Sequence, residues 1–128
     1  MRLLLDTCTF LWAVDDAPEL SRAARALVED PDNEVFLSAV SCWEIAVKHA
    51  LGRLRVPGDP AAFVPAERAR RRFTALPLDE AAALTLGKLP QVHQDPFDRM
   101  LVCQAITGGL TILTPDPAIR AYPVPTVW

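Results

Sequence analysis

Short apolar runs alternate with helical patterns along the 128-residue chain, and this alternation limits the fold more than any other feature. Strands are predicted at residues 2–5, 34–38, 73–78, 110–114 and 124–128, with one or two helices between successive strands. This order predicts an α/β fold, specifically a three-layer α/β/α sandwich around a central, mostly parallel sheet. The length suits one domain that spans residues 1–128.

Four acidic residues follow the predicted strands or lie near the start of the helices after them: Asp6, Glu44, Asp98 and Asp116. Because the carboxyl ends of parallel strands meet at one edge of a sheet, we expect these carboxylates to lie together. Clustered carboxylates repel one another, so at least one takes up a proton unless a cation is bound. A hard divalent ion, Mg²⁺ or Mn²⁺, relieves this repulsion, and such a site supports phosphodiester hydrolysis.

The helix predicted after residue 95 also offers a purely structural interpretation of its acids. Pro96 suits the first helical position, because its φ is already helical and no N–H is needed there. Asp95 then lies at the N-cap, and Asp98 lies in the first turn, near the positive end of the helix dipole. Taken alone, both carboxylates could serve only to start this helix.

The other acids have structural interpretations of the same kind. Ser41 and Glu44 match a capping box, and Lys48 lies four residues after Glu44, where an ordinary helix ion pair forms. Asp116 could cap a short helix that begins at Pro117. Each acid is therefore ambiguous by itself, and only their delivery to one sheet edge favours a metal site.

Charge and cysteine content exclude some classes of protein and leave others open. The net charge of −3 argues against a nucleic-acid partner, but without the four candidate ligands the remainder of the chain carries +1. The three cysteines are odd in number and form no C-x-x-C motif, so we expect reduced thiols. His49 and His93 lack partners at metal-ligand spacing and are expected to be structural or surface residues.

The amino-terminal apolar run stops at Asp6, and longer apolar stretches are interrupted by charges or proline. No membrane span or export segment is therefore predicted, and we expect a cytoplasmic protein.

An ordered set of motifs covers nearly the whole chain. It consists of Leu4-Leu5-Asp6-Thr7, Phe10-Leu11-Trp12, Ser38-x-x-Ser41-x-Trp43-Glu44-Ile45-Ala46-x-Lys48, Gly52-x-Leu54, Asp95-Pro96-Phe97-Asp98-Arg99-x-Leu101 and Leu113-Thr114-x-Asp116. Together these motifs resemble the PIN-domain ribonucleases, and more closely the VapC-type toxins of bacterial toxin–antitoxin pairs. Each motif alone is weak, whereas the ordered set is specific.

The resemblance implies a Mg²⁺-dependent endoribonuclease, with Mn²⁺ as an alternative ion. It implies an RNA substrate, inhibition by a cognate antitoxin protein, and a homodimer. Carried over by position, the catalytic metal ligands are Asp6, Glu44, Asp98 and Asp116, supported by Thr7, Thr114, Asp95 and Lys48. Within this set Asp95 is assigned to the helix cap and Asp98 to the metal. Cys8 departs from the pattern, since close relatives often carry histidine there.

Basic and aromatic residues provide the remaining candidates for contact with RNA. The candidate phosphate-binding side chains are Arg68, Arg71, Arg72 and Arg99, although arginines on helices are often ordinary solvated faces. Phe10, Trp12 and Trp43 are expected to lie in the core rather than to stack on bases.

Two other functions remain open at this stage. A receiver-like signalling domain also has an acidic Mg²⁺ pocket in an α/β fold, but it needs a phosphate-accepting aspartate at a central strand and a late lysine. Here the central acid is Glu44, and no lysine follows Thr114. A PIN-like protein that binds RNA or a partner without cutting is the other alternative, and the complete acid set argues against it.

Overall fold

The computed structural model describes residues 1–128, and its elements follow the predicted order. The strands are β1 (Arg2–Leu5), β2 (Glu34–Ser38), β3 (Thr74–Leu76), β4 (Thr111–Leu113) and β5 (Thr126–Val127). The helices are α1 (Thr7–Asp15), α2 (Arg22–Glu29), α3 (Ala39–Ala50), α4 (Pro60–Arg70), α5 (Glu80–Thr85), α6 (Pro96–Gly108) and α7 (Pro117–Arg120), with a 3₁₀ turn at Leu86–Lys88. None of these helices is long and apolar enough to cross a membrane.

The five strands form one parallel sheet in the order β3-β2-β1-β4-β5. Alternate side chains of each strand face opposite sides, so Leu4 and Ile112 pack with α5, α6 and α7, whereas Leu5 and Leu113 pack with α1 to α4. Both sides of β1 are fully buried, which explains its continuous apolar sequence. The predicted three-layer α/β/α sandwich is confirmed.

The direction of winding reverses beside β1. From β1 the chain adds β2 and β3 on one side, and then crosses to place β4 and β5 on the other. Ligands of open α/β sheets bind outside the carboxyl ends of the strands at such a reversal. Asp6 follows β1 directly and Asp116 lies three residues beyond β4, so both acids are delivered to this position.

One predicted helix start is wrong by a few residues, because the helix follows its strand without a loop. The N-cap of α3 is Ser38, whose hydroxyl accepts from Val40 N at 2.9 Å, so Ser41 and Glu44 form no capping box. The N-cap of α1 is Asp6, because its Oδ1 accepts from Thr9 N at 2.8 Å.

The core prediction for the aromatic residues is correct for one of the three and wrong for another. Phe10 is fully buried, and Trp12 is half-buried against Trp128. Trp43, however, is 54% exposed and packs edge-on against Phe97, with ring centroids 4.8 Å apart. It lies on the outer face of α3, whereas the inner face carries Ser41 and Glu44.

Candidate active site

Asp6 lies at the junction of the two central strands. Its Oδ2 accepts a hydrogen bond of 2.5 Å from Thr114 Oγ1, and its Oδ1 caps α1. The side chain is almost completely buried, and this burial raises the pKa of Asp6 despite the hydrogen bonds from Thr114 and Thr9. The negative charge of Asp116 adds to the same upward shift in the pKa.

Glu44 is buried on the inner side of α3 and contacts Thr7, the residue after Asp6. Thr7 Oγ1 donates to Glu44 Oε1 at 2.7 Å and lies 2.9 Å from Ser41 Oγ. On the other carboxylate oxygen, Lys48 Nζ donates to Oε2, so the predicted ion pair between Glu44 and Lys48 is confirmed. The hydrogen bond to Glu44 is the main cause of the raised pKa of Lys48.

Asp98 begins the inner face of α6 and contacts a histidine. Its Oδ2 lies 3.1 Å from His93 Nε2. Burial raises the pKa of Asp98 to about 7, and the charges of Asp95, Glu44 and Asp6 act in the same direction. The charges of Glu44 and Asp6 therefore both act on the pKa of Asp98, although the three residues come from different elements.

Asp95 is the N-cap of α6, as the sequence predicts. Its Oδ1 accepts from Phe97 N at 2.9 Å and from Asp98 N at 3.2 Å. Ligand atoms of Asp95, Asp98 and His93 all lie within 4.8 Å of one another, and this group contains only one of the four predicted metal ligands, Asp98. The sequence analysis does not place His93 in this group, because the contact depends on the path of the loop before Asp95.

Asp116 completes the acidic group from the other side of β1. Its Oδ1 accepts from Ala118 N at 2.9 Å, so the predicted cap of α7 is confirmed. Its backbone N donates to Thr114 Oγ1 at 3.0 Å, and the same hydroxyl donates to Asp6. Thr114 therefore links the two carboxylates that follow β1 and β4.

The donor set fits a hard divalent cation. Asp6 and Glu44 are each only 4% exposed, so their charges are poorly solvated. The pKa values of Asp6 and Asp98 are raised, which means that the folded protein without a cation disfavours the charged forms. Carboxylate oxygens are the preferred ligands of Mg²⁺ and Mn²⁺, and a bound cation removes the mutual repulsion.

The four arginines predicted to bind phosphate lie in different parts of the structure. Arg71 and Arg72 come immediately before β3 and so lie at the amino-terminal edge of the sheet, opposite the acids. Arg71 Nη2 donates to Val14 O at 3.0 Å, and Arg99 Nη1 donates to the carbonyls of Pro90 and His93. These guanidinium groups fix local structure. Arg68 lies beside Cys42, near the carboxyl ends of β2 and β3.

Cys8 is exposed beside the acidic residues but is not an activated nucleophile. Although the residue is exposed, its sulfur is partly shielded from water by neighbouring groups. This desolvation, together with the charges of Asp6 and Glu44, raises the pKa of the Cys8 thiol to about 11. At neutral pH the group is therefore a thiol, and the thiolate is the reactive form. The site offers carboxylates, hydroxyls, one imidazole and one ammonium group for chemistry.

Comparisons with known proteins agree with this architecture. The family model described as PIN domain matches residues 3–125. Ribonuclease VapC16 of Mycobacterium tuberculosis is 38% identical over 108 residues, which cover 84% of this chain and 72% of that protein. Ribonuclease VapC22 of the same organism is 26% identical over 130 residues, with 98% of each chain covered.

A solved structure has the same fold. The crystal structure of VapBC2 from Rickettsia felis, bound to a DNA fragment from their promoter, contains a chain that superposes with a TM-score of 0.75. The superposition covers 99% of this chain and 98% of that chain at 13% sequence identity.

Proposed function

Because this chain belongs to the PIN-domain family, we propose that it is a metal-dependent endoribonuclease, the toxin component of a toxin–antitoxin pair. The observation that carries the proposal is the burial of two carboxylates, Asp6 and Glu44, each only 4% exposed and hydrogen-bonded by a threonine. A PIN-domain match that spans residues 3–125 decides against the receiver-like alternative.

The proposed ligands of the cation are Asp6, Glu44, Asp98 and Asp116. Mg²⁺ is the expected ion, with Mn²⁺ as the alternative, since both prefer carboxylate oxygens. When bound, such an ion activates water and stabilises the charge that develops on phosphodiester oxygens.

The neighbouring residues orient these carboxylates and balance their charge. Thr114 and Thr7 donate to Asp6 and Glu44, so that each carboxylate keeps one orientation before a cation arrives. Lys48 neutralises Glu44 in the metal-free protein. It is also the cation nearest to Glu44, so it is a candidate to contact an RNA phosphate there.

A cognate antitoxin is the proposed protein partner. The structural neighbour from Rickettsia felis is a VapBC2 assembly bound to promoter DNA, and the family resemblance implies the same type of pair. We propose a cytoplasmic location for the protein, because RNA is its proposed substrate. The homodimer implied by the resemblance is tested by sedimentation equilibrium of the purified chain.

The experiment that tests the activity compares purified wild-type protein with the Asp6→Asn and Asp98→Asn variants on total RNA. We expect cleavage in Mg²⁺, none in EDTA, and none by either variant. Asp32→Asn is the matched control, because Asp32 is exposed in the turn before β2, at the opposite edge of the sheet. Sequencing of the RNA ends then gives the cleavage site.

Two results would contradict the proposal. Cleavage that continues in EDTA or in both variants would rule out the metal mechanism. RNA binding without cleavage in Mg²⁺ and Mn²⁺, by protein that is folded and free of antitoxin, would favour the non-cutting PIN-like alternative.

A further inference from the structure

His93 is a side chain that the four proposed carboxylate ligands leave unused, although it contacts one of them, Asp98. Its Nε2 is 3.1 Å from Asp98 Oδ2, and ligand atoms of His93, Asp95 and Asp98 all lie within 4.8 Å of one another. We propose that His93 Nε2 is a nitrogen ligand of the cation that Asp98 binds. This inference rests on the proposed metal-dependent function and adds a ligand of different chemistry to it.

The distance between the two atoms suits a pair of neighbouring ligands. In an octahedral complex with bonds of about 2.0–2.1 Å, adjacent ligand atoms are about 3 Å apart. The separation of Asp98 Oδ2 and His93 Nε2 is close to this value, so one ion could replace the hydrogen bond with little movement of either side chain.

The backbone of His93 is fixed before any cation binds. Its N–H donates to Tyr122 Oη at 3.0 Å, and its carbonyl accepts from the same hydroxyl at 3.1 Å and from Arg99 Nη1 at 3.2 Å. Tyr122 is only 3% exposed, so this anchor belongs to the core. A loop residue fixed by three hydrogen bonds is typical of a preorganised ligand.

Asp95 has an oxygen left for the same ion or for a water bound to it. Both of its hydrogen bonds, from Phe97 N and Asp98 N, use Oδ1. Oδ2 therefore accepts no hydrogen bond from the protein.

A nitrogen ligand changes which ion the site prefers. Mg²⁺ favours oxygen ligands, whereas imidazole binds transition metals well. The proposal therefore predicts that His93 increases the affinity for Mn²⁺ more than the affinity for Mg²⁺. A purely structural hydrogen bond from His93 to Asp98 would not discriminate between the two ions in this way.

The test uses the full chain loaded with Mn²⁺ and measures nitrogen coordination by pulsed electron paramagnetic resonance. We expect a ¹⁴N coupling in wild-type protein that changes to the ¹⁵N pattern when only histidine is labelled with ¹⁵N. His93→Gln should lose the coupling and bind Mn²⁺ about tenfold or more weakly, with a smaller loss for Mg²⁺. Because the chain has two histidines, the same labelling in His49→Gln assigns the coupling to His93 even if His93→Gln folds poorly.

His49→Gln is the matched control. His49 lines a separate cavity between α3 and α4 with Cys42 and Val64, and its replacement should leave the coupling and both affinities unchanged. Mn²⁺ bound through Asp98 without a histidine coupling would overturn this inference and leave the proposed function intact. Protein that binds neither Mn²⁺ nor Mg²⁺ yet cleaves RNA in EDTA would overturn both.

Discussion

Thr114 Oγ1 donates to Asp6 Oδ2 at 2.5 Å and thereby joins the carboxyl ends of β4 and β1, which are far apart in sequence. The bond fixes the orientation of the Asp6 carboxylate. It also opposes the effect of burial, because a hydrogen bond to the charged form lowers the pKa of Asp6. One hydroxyl therefore affects both the orientation and the charge of a proposed metal ligand.

Replacing Thr114 by valine removes this hydroxyl while keeping the shape of the side chain. We expect the pKa of Asp6 to rise further and the affinity for Mg²⁺ to fall, because the ion requires the charged carboxylate. Loss of a buried hydrogen bond to a charged group costs about 1.5–3 kcal/mol, measurable by urea denaturation. Thr114→Ser keeps the hydroxyl and is the control; equal Mg²⁺ affinity in the two variants would contradict the assignment.

Asp95 and Asp98 are expected to differ in their effects even though they lie three residues apart. Asp95→Ala removes the N-cap of α6 and should destabilise the protein by about 0.5–2 kcal/mol. Asp98→Ala should abolish RNA cleavage and leave the fold intact, because its carboxylate makes no hydrogen bond to the α6 backbone. Thermal unfolding and a cleavage assay on both variants separate these effects.

Asp95→Asn gives the control for the cap, since an amide oxygen still accepts from Phe97 N and Asp98 N. It should retain most of the stability that Asp95→Ala loses. If Asp98→Ala were the destabilised variant and Asp95→Ala the inactive one, the division of roles within this motif would be wrong.

The metal-free protein should lose stability as the pH rises from about 4 toward neutrality. The folded-state pKa of Asp98 is raised to about 7 from its usual 3.8, so the contribution of this group is fully present only below about pH 4. It is lost progressively between about pH 4 and pH 7, because over this range the carboxyl ionises in the unfolded chain but stays protonated in the folded protein, and the loss levels off above about pH 7. The raised pKa of Asp6 acts in the same direction.

Denaturant unfolding in EDTA at pH 5 and pH 8 measures this effect. Asp98→Asn, which cannot ionise, should lose less free energy of unfolding between the two pH values than the wild type loses. Saturating Mg²⁺ should also reduce the loss, since the cation binds the charged form. If Asp98→Asn loses as much free energy of unfolding between pH 5 and pH 8 as the wild type, Asp98 is not the group responsible for the pH dependence.

The layers and the ends of β1 and β2 are predictable from the sequence because they follow from local chemistry, whereas β3, β4 and β5 are shorter than predicted by one or two residues at each end. Apolar runs such as Leu3–Leu5 end at an acid. Pro96 and Pro117 are the first residues of α6 and α7, so each proline marks the start of a helix. The start of α3 was predicted incorrectly because Ser38 and Ser41 are both good caps. Only the end of β2, set by pairing with β1 and β3, selects Ser38.

The site was less predictable where side chains meet across elements. Asp6 and Asp98 could be placed at one edge because strands and helix starts determine that edge. The contact of His93 with Asp98 depends on a loop that Tyr122 anchors from near the end of the chain, and no spacing in the sequence encodes it. The large apolar side chain of Trp43 predicts a core position, but its place on the helix leaves it 54% exposed.

Lys48 should compete with the cation for Glu44. Its Nζ donates to Glu44 Oε2, and Glu44 is almost completely buried, so Lys48→Met leaves the carboxylate with only the hydrogen bond from Thr7. We expect the metal-free variant to be less stable by about 1–2 kcal/mol, below the value for a fully buried pair because the Lys48 side chain is 44% exposed.

The same substitution should strengthen the response to Mg²⁺, because the ion no longer has to displace an ammonium group from Glu44. The rise in melting temperature on addition of Mg²⁺ should therefore be larger for Lys48→Met than for the wild type. Lys88→Met is the matched control. Lys88 is the other lysine of the chain, and it is exposed at the end of the 3₁₀ turn that follows α5. A smaller Mg²⁺ response in Lys48→Met would mean that Lys48 orients Glu44 for the ion instead of competing with it.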